Sequence, residues 1–236
     1  MRCAVMQPTY FPWGGYFNLI ASVSVFVFLD DVQYERGTWH NRNRVLMQGG
    51  AHWLTVPVMR GHLGEAINQV RTDEKLPWRK KHIALLQQIY GKHPFAEQLI
   101  PLCEDLIGNE DLGILARLNE RIIAAFCERL DITTRLLRSS ELDIAGQRSE
   151  RLARMCEHLN CDAYLSPPGA AGYLEADRFV DMTRVKLSIN DFQPAAYEQR
   201  GATDFVSHLS IIDVVANLGW AGASAYVRHG ILESGG

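Results

Sequence analysis

Two short apolar runs stand near the beginning of the chain. Residues 3–6 and 23–29 are almost continuously apolar and rich in β-branched or aromatic side chains, a pattern typical of strands that are buried on both faces of a parallel sheet. Between them, residues 16–22 are long enough for a helix of two turns. The pattern therefore predicts a strand–helix–strand unit.

A hairpin is predicted next. Residues 44–47 and 52–58 are two β-prone runs, separated by a glycine-containing connection at residues 48–50, and such a spacing favours a tight turn. Residues 67–71 are predicted as a third strand, and the glycines that bound residues 61–64 predict a mobile loop.

The apolar positions take a helical period in the middle of the chain. They recur every three or four residues from Pro77 to residue 90, over residues 95–107 and over residues 111–130, which predicts three helices. Pro77 suits a first helical turn, and Asp111 suits the positive end of the third helix dipole.

Strands and helices alternate again after this block. The predicted elements are a strand 133–137, a helix 149–159, a strand 163–166, a helix 171–180, a strand 185–189 and a helix 211–218. This alternation is typical of an α/β protein with a mainly parallel sheet flanked by helices, in a Rossmann-like or nucleotidylyltransferase-like layout. We expect a single domain over residues 1–236, with residues 77–130 as a helical insertion.

The composition narrows the classes of protein that this chain can be. Apolar residues are 47% and charged residues 22% of the chain, as in ordinary globular proteins, and the formal net charge is −3. The net charge gives no sign of the basic stripe that a nucleic-acid domain usually carries, and no run approaches about 18 apolar residues. Neither a dedicated nucleic-acid domain nor a membrane span is therefore predicted. No signal-peptide pattern precedes the first strand, and the five scattered cysteines predict reduced thiols. We therefore expect a cytoplasmic protein.

Four loops are the candidates for a ligand site, because ligands of open α/β sheets bind beyond the carboxyl ends of the strands. These loops are residues 7–15, 30–44, 138–147 and 166–173. The first is dense in prolines, glycines and aromatic residues, so it cannot continue either flanking element. We expect the four loops to surround one site.

The second loop carries the densest polar chemistry. Asp30 and Asp31 follow the predicted strand directly, and paired carboxylates can hold a metal ion or act as a general base. Arg42 and Arg44 alternate with asparagines, and a guanidinium fork suits phosphate or carboxylate. A solvated loop whose Asp30 caps a turn is the alternative, and the residues alone leave both interpretations open.

The third and fourth loops carry groups that bind anions. The third begins with Arg138, Ser139 and Ser140, whereas the fourth runs from a strand into a helix, where free N–H groups could cradle an anion. The fourth loop matches neither the dinucleotide fingerprint nor a Walker sequence, and its two prolines remove donors. A plain turn is therefore the alternative for the fourth loop.

Other candidates lie outside these loops. Lys81 and His82, on the first middle helix, could contact phosphate or move a proton, although a basic exposed helix face is the commoner explanation. His208 could be a base or a structural histidine. A Gly-x-Ser-x-Gly elbow is absent from the sequence, and the Cys/His group at residues 156–161 lacks a second pair of ligands. Neither an α/β-hydrolase nor a zinc site is predicted.

Motifs spread over nearly the whole chain resemble one family. They are Gln7-Pro8-x-Tyr10-x-Pro12-Trp13-x-Gly15-Tyr16-Phe17, residues 26–34, Asn41-Arg42-Asn43-Arg44, residues 53–58, residues 138–142, residues 149–152, Tyr164-Leu165-Ser166, Pro168-Gly169, Tyr173-Leu174 and Leu209-Ser210-Ile211-Ile212-Asp213. In this order they resemble the WbqC-like proteins.

The resemblance implies an enzyme of surface-glycan assembly, because WbqC-like proteins are commonly found among genes for lipopolysaccharide O-antigen. Two positions depart from the family: Met6 stands where relatives often have histidine, and Pro167 stands where glycine is usual. A weaker likeness, in layout only, is to nucleotidylyltransferase-type folds such as pantothenate synthetase. Their phosphate-binding histidines are absent from residues 7–16, so adenylylation is not supported.

The leading hypothesis is a transferase that modifies a phosphorylated or nucleotide-linked sugar, with an amine or amino-acid acceptor, in O-antigen biosynthesis. One alternative is an amino-acid or amine transferase acting on a modified nucleic-acid base, which the net charge does not favour. The other is a non-catalytic ligand-binding or scaffold protein of glycan assembly. No membrane is expected as a partner and no residue is predicted as a metal ligand, while the sequence leaves the cofactor, any metal requirement and the oligomeric state open.

The residues predicted to carry the chemistry form two groups. The candidate catalytic residues are Asp30, Asp31 and His82. The candidate substrate-binding residues are Gln7, Tyr10, Trp13, Gly15, Tyr16, Gln33, Tyr34, Asn41, Arg42, Asn43, Arg44, Lys81, Arg138, Ser139, Ser140, Ser166, Gly169 and Tyr173. Among them, the arginines would hold phosphate, whereas Tyr10, Trp13 and Tyr34 would stack on a base or sugar.

Overall fold

A parallel sheet of five strands is the centre of the molecule, in a computed structural model that describes residues 1–47, 50–61 and 64–229. The described residues form seven strands, five in this sheet and two in a separate hairpin: β1 (Arg2–Met6), β2 (Val25–Phe28), β3 (Arg42–Met47), β4 (Gly50–Thr55), β5 (Arg135–Arg138), β6 (Ala163–Ser166) and β7 (Lys186–Ile189). The sheet has the order β5-β2-β1-β6-β7, with parallel pairing throughout, while β3 and β4 form a separate antiparallel hairpin.

Helices cover both faces of this sheet. They are α1 (Gly14–Ala21), α2 (Trp78–Tyr90), α3 (Ala96–Gly108), α4 (Leu115–Arg129), α5 (Arg148–His158), α6 (Ala171–Ala176), α7 (Phe179–Met182) and α8 (Ile211–Arg228). The predicted α/β class, with a parallel sheet flanked by helices and a helical block in the middle, is confirmed. None of the helices within the described residues is long and apolar enough to cross a bilayer.

The two faces of the sheet bury different residues of the same strands. Phe26 and Phe28 pack into a core with α1, α4 and α8, whereas Val25 and Val27 pack into a second core with α5, α6 and α7. Successive side chains of a strand point to opposite faces. A strand that is buried on both faces therefore has to be apolar at every position, which explains the continuous run in β2.

The strand predicted over residues 67–71 was wrong. Ile67–Gln69 is a 3-10 turn, and the backbone of Ile67 and Asn68 donates to the carbonyl oxygens of Val32 and Asp30 in the loop after β2. The segment is apolar because Ile67 and Val70 are buried beneath that loop.

Three helix boundaries also differ from the prediction. The helix predicted over residues 171–180 is split into α6 and α7, since Arg178 takes a left-handed conformation with φ of 56°. The last helix does not end at residue 218 but continues to Arg228 beyond a break at Gly219, whose φ is 69°. α4 begins only at Leu115, so Asp111 does not lie in its first turn.

The predicted hairpin is present as β3 and β4, although β3 begins two residues earlier, at Arg42. Its predicted turn includes residues 48 and 49, and the predicted mobile loop includes residues 62 and 63. These four residues lie outside the described part of the chain.

Asp213 ties the hairpin, α2 and α8 together. Its carboxylate, which is fully buried, accepts hydrogen bonds from the hydroxyls of Tyr90 and Tyr197 and from the amide of Gln199, at 3.2, 2.6 and 2.9 Å. The Tyr90 hydroxyl in turn accepts from the backbone N–H of Leu46 in β3. Burial raises the pKa of Asp213, although these hydrogen bonds oppose the shift. The network fixes the position of the segment that precedes α8.

Candidate functional site

A crevice of about 610 Å³ opens at the carboxyl edge of the sheet, between β1 and β6. The chain leaves β1 towards β2 on one side and returns to the other side of β1 with β6, so the strand order reverses at this point. Such a reversal splits the loops apart and leaves room for a ligand. The crevice is lined by Val5, Met6, Gln7, Trp13, Gly15, Tyr16, Leu19, Leu29, Leu152, Pro167, Pro168, Gly169, Ala170, Tyr173, Asn190, Phe192, Gln193 and His208.

Trp13 forms the aromatic wall of the crevice, and Gly15 makes room for it. A Cβ atom on Gly15 would lie 2.3 Å from atoms of the Trp13 indole. The indole contacts the rings of Phe192 and His208, with centroid distances of 5.5 and 4.6 Å. The glycine of the aromatic loop is therefore required by a close approach of a side chain to the first turn of α1.

Two side-chain amides point into the crevice without hydrogen-bond partners of their own. Gln7 and Asn190 both line it, and neither side chain is hydrogen-bonded to any other described residue. The backbone of each is fixed nearby: the Tyr16 hydroxyl donates to the Gln7 carbonyl oxygen at 3.0 Å, and Asn190 N–H donates to the Ser166 carbonyl oxygen at 2.8 Å. The amides are therefore available to a ligand.

His208 is the only imidazole among the described residues that line the crevice. Its ring lies on Trp13, its Nδ1 is 2.9 Å from the Ser207 hydroxyl, and its backbone carbonyl accepts from Arg44 Nη2 at 3.2 Å. Burial, together with the positive charge of Arg44, lowers the pKa of His208 from its ordinary value. A neutral imidazole can accept a proton near pH 7.

A second cavity of about 590 Å³ adjoins the crevice and shares Leu29, Leu152 and Tyr173 with it. Its polar lining comes from Gln33 and from the loop and helix at residues 146–151. Arg148 lies here with its guanidinium 6.0 Å from the centre of the Tyr173 ring. The two cavities form one elongated site along the carboxyl edge of the sheet.

Asp31 does not line the second cavity itself but is paired with Arg151, which does. The two side chains form a bidentate pair with distances of 2.9 and 2.5 Å, and the Ser139 hydroxyl donates to the same carboxylate at 2.6 Å. Burial alone would raise the pKa of Asp31, but the hydrogen bonds from Arg151 and Ser139 outweigh it and lower the pKa. The paired carboxylate is thus held ionised, and Arg151 is oriented by it.

Asp30, in contrast, points into the protein. Its side chain is fully buried, and it accepts hydrogen bonds from the backbone N–H and the hydroxyl of Ser140, at 3.0 and 2.7 Å. The Asn68 amide also donates to this carboxylate, at 3.4 Å. These contacts hold the loop after β2 against the loop after β5. The hydroxyls of Ser139 and Ser140 are therefore used as hydrogen-bond donors to Asp31 and Asp30. Among the described residues, no group of three or more His, Cys, Asp or Glu side chains is placed to hold a metal ion.

His82 and Tyr10 lie in the core, away from the crevice. The Tyr10 hydroxyl is 3.0 Å from His82 Nδ1, and His82 Nε2 is 3.1 Å from the Thr55 carbonyl oxygen. A carbonyl only accepts, so Nε2 carries the proton and Nδ1 accepts from Tyr10. Burial lowers the pKa of His82 to about 4. Both ring nitrogens are therefore occupied by structural contacts.

Other predicted binding residues also make internal contacts. Asn41 donates to the Val56 carbonyl and Asn43 to the Phe11 carbonyl, at 2.8 and 2.9 Å. Arg138 is paired with Glu120 and Glu141 at 2.6 and 2.7 Å, which neutralise its charge. Five predicted binding residues remain. Tyr34 and Ser166 are buried, Lys81 is exposed on α2, and Arg42 and Arg44 are half-buried on β3.

The structure thus brings together six predicted residues at the main crevice and one more at the adjoining cavity: Gln7, Trp13, Gly15, Tyr16, Gly169, Tyr173 and Gln33. The sequence prediction omitted Asn190, Phe192 and Arg148, and it did not place His208 there. Asn190 follows a predicted strand, so the strand-end rule that selected the four loops applies to it as well. Nothing in the sequence places Phe192 or His208 at the crevice, because the irregular segment that carries them follows no period.

Comparisons with known proteins cover most of the chain. The sequence profile described as the WbqC-like protein family matches residues 7–225. An uncharacterised protein of Mycobacterium tuberculosis, Rv1507c, is 32% identical over 229 residues, which are 97% of this chain and 98% of the relative. No solved structure matches this chain.

Proposed function

The chain belongs to the WbqC-like protein family, and we propose that it is a cytoplasmic transferase which modifies a phosphorylated or nucleotide-linked sugar in the assembly of surface polysaccharide. The observation that carries the proposal is the crevice beyond Met6 and Ser166, where the strand order reverses. Open α/β sheets bind nucleotides and related ligands at such points.

The size and lining of the crevice suit this class of ligand. Its volume of about 610 Å³ falls within the range of about 300–1,000 Å³ of small-molecule sites. Trp13 and Phe192 offer ring faces to a base or sugar, and the free amides of Gln7 and Asn190 can bond to hydroxyl or carbonyl groups. Arg148, in the adjoining cavity, is mostly exposed beside Asp177 and can approach a phosphate.

His208 is the residue that we propose as the base. An amine or hydroxyl of the acceptor attacks the sugar carbon that carries the phosphate, and the new bond forms as the C–O bond to the phosphate breaks. The phosphate leaves with the electron pair, and the proton of the acceptor passes to the neutral imidazole. His208 fits this role because it is the imidazole at the crevice and its pKa is lowered.

Ligand binding tests the crevice. We expect a UDP-, dTDP-, GDP- or CMP-linked sugar, at tenfold excess over its Kd, to raise the melting temperature by roughly 4 °C. In Gly15→Ala the new methyl group collides with the Trp13 indole, so the affinity should fall by at least about tenfold.

Gly108→Ala is the matched control, because a Cβ at this last residue of α3 meets no atom within 4 Å. It should bind as the wild type does. The proposal is contradicted if no nucleotide-linked or phosphorylated sugar stabilises the protein, or if Gly15→Ala binds with unchanged affinity.

Turnover tests His208. With the bound nucleotide sugar and a panel of amine acceptors, release of free nucleotide should fall by about 100-fold in His208→Gln, which is typical of a lost general base, while the Kd for the nucleotide sugar stays within about threefold. Wild-type binding without any release of nucleotide would instead identify a ligand-binding protein. Unchanged release in His208→Gln would remove this residue from the reaction.

A further inference from the structure

Two exposed tryptophans and two half-buried arginines lie together on the outer side of the β3–β4 hairpin and of the loop before it. We call this group the Trp–Arg face: Trp39, Arg42, Arg44 and Trp53. The two indole rings are 5.3 Å apart and tilted by 47°. The Arg42 guanidinium lies 4.1 Å from the centre of the Trp53 ring, and that of Arg44 lies 5.8 Å from the Trp39 ring. The face is therefore a preformed group of ring planes and cations.

Both rings keep exposed surface, and neither cation is neutralised by a carboxylate in the described part of the chain. Trp39 is 46% and Trp53 is 40% exposed, and within the described residues neither arginine forms an ion pair with a carboxylate. The Nε atoms of both arginines are buried and have no hydrogen-bond partner in that part of the chain. Exposed tryptophans in contact with each other are uncommon on a protein surface, and unpaired arginines beside them favour an anionic ligand.

The arrangement favours a small anionic sugar over a nucleic acid. An indole face packs against the apolar C–H face of a pyranose ring, while a guanidinium fork binds a phosphate or carboxylate on the same molecule. Binding of single-stranded nucleic acid requires a positively charged groove that follows the phosphate backbone over roughly four or more nucleotides. The net charge of −3 and the two arginines of the face do not supply such a groove.

The face is also continuous with the crevice. Arg44 donates from Nη2 to the His208 carbonyl oxygen at 3.2 Å, and the His208 ring lies 4.6 Å from Trp13 in the crevice wall. The Ser210 N–H bonds to the Arg44 carbonyl at 2.8 Å, which fixes the two parts relative to each other. His208 therefore lies between the Trp–Arg face and the crevice.

We propose that the Trp–Arg face is a second binding site, for a phosphorylated or carboxylated sugar. Its role as the acceptor site of the transferase rests on the function proposed above. The binding itself does not rest on that function, because it depends only on the four side chains of the Trp–Arg face.

The test uses the full-length protein and defined probes. Calorimetric titration compares glucose 6-phosphate and glucuronic acid with uncharged glucose, with inorganic phosphate and with a ten-residue oligothymidylate. We expect at least one of the two anionic sugars to bind at least tenfold more tightly than glucose and inorganic phosphate. Trp53→Ala and Arg42→Gln should each weaken that binding by at least tenfold, whereas Arg135→Gln, an exposed arginine on β5, should leave it unchanged.

Circular dichroism establishes that the variants are folded, and the nucleotide-sugar titration is repeated on each of them. Loss of anionic-sugar binding in Trp53→Ala with unchanged nucleotide-sugar binding supports a separate site. Anionic-sugar binding that persists when no nucleotide sugar binds supports the site and contradicts the transferase. The proposal is overturned if anionic sugars bind equally well to Trp53→Ala and Arg42→Gln, if neither binds more tightly than glucose, or if only the oligothymidylate binds.

Discussion

Replacement of Asp30 by alanine is expected to destabilise the protein by about 4 kcal/mol, because several buried donors lose their acceptor at once. The carboxylate has no exposed surface. Its removal leaves the Ser140 N–H, the Ser140 hydroxyl and the Asn68 amide without their acceptor. Because the Asp30 side chain is fully buried, water does not replace it. The loss should be measured as the change in the free energy of unfolding in urea.

Asp30→Asn is the informative companion variant. An amide keeps the volume and one acceptor oxygen, but its NH₂ group faces the donors of Ser140, so about half of the stability loss should remain. Asp31→Ala serves as a comparison, since the Asp31–Arg151 pair is partly exposed, with side-chain exposures of 23% and 16%. It should cost about 1 kcal/mol after screening by solvent. A loss below 1 kcal/mol in Asp30→Ala would contradict a structural role for Asp30.

The two aspartates show what the sequence could and could not predict about the site. The strand-end rule places Asp30 and Asp31 correctly at the carboxyl edge of the sheet, next to the loop that follows β5. It cannot say which of the two faces the ligand, because side chains of adjacent residues at a strand end point to opposite sides. That choice is made by Ser140 and Arg151, which are more than 100 residues away in the chain.

The Asn-Arg-Asn-Arg run allows a similar comparison. Residues of a strand alternate between faces, so a strand that begins at Arg42 separates the asparagines from the arginines. The asparagines then bond to Val56 and Phe11 inside the protein, and the arginines reach the surface. The prediction began the strand at residue 44 and therefore treated all four side chains as one binding group.

Only one wall of the crevice could be predicted from the sequence, because the other wall is placed by long-range packing. Its opening loop was predictable, since the prolines and glycines between β1 and α1 exclude both a strand and a helix. The opposite wall comes from Asn190, Phe192 and His208, in a segment without regular secondary structure. Long-range packing alone places such a segment, here through the backbone bonds of Ile211 to Pro12 and of Ser210 to Arg44. Periodicity in the sequence carries no signal for it.

Acidification is expected to destabilise the protein by about 3 kcal/mol through His82 alone. The pKa of His82 in the folded protein is about 4, compared with an ordinary value of 6.5, because the ring is buried between Tyr10 and Thr55. Well above pH 6.5 the imidazole is neutral in both the folded and the unfolded protein, and its contribution to the free energy of unfolding is fully present. Between about pH 6.5 and 4 the unfolded chain binds a proton that the folded protein does not, so stability is lost as the pH falls. A difference of about 2.5 pKa units, at 1.36 kcal/mol each, sets the size of the effect.

Urea unfolding at pH 7.5, 6.5, 5.5 and 4.5 measures this loss, and His82→Gln isolates it. Glutamine does not titrate, so the slope of stability with pH should be smaller in the variant by about 1.4 kcal/mol per pH unit below pH 6.5. His40 and His93, whose pKa values are also lowered by burial, are present in both proteins and cancel in the comparison. Equal slopes in the two proteins would show that His82 is accessible to protons in the folded state. The variant should retain nucleotide-sugar binding, because His82 contacts Tyr10 and Thr55 and not the crevice.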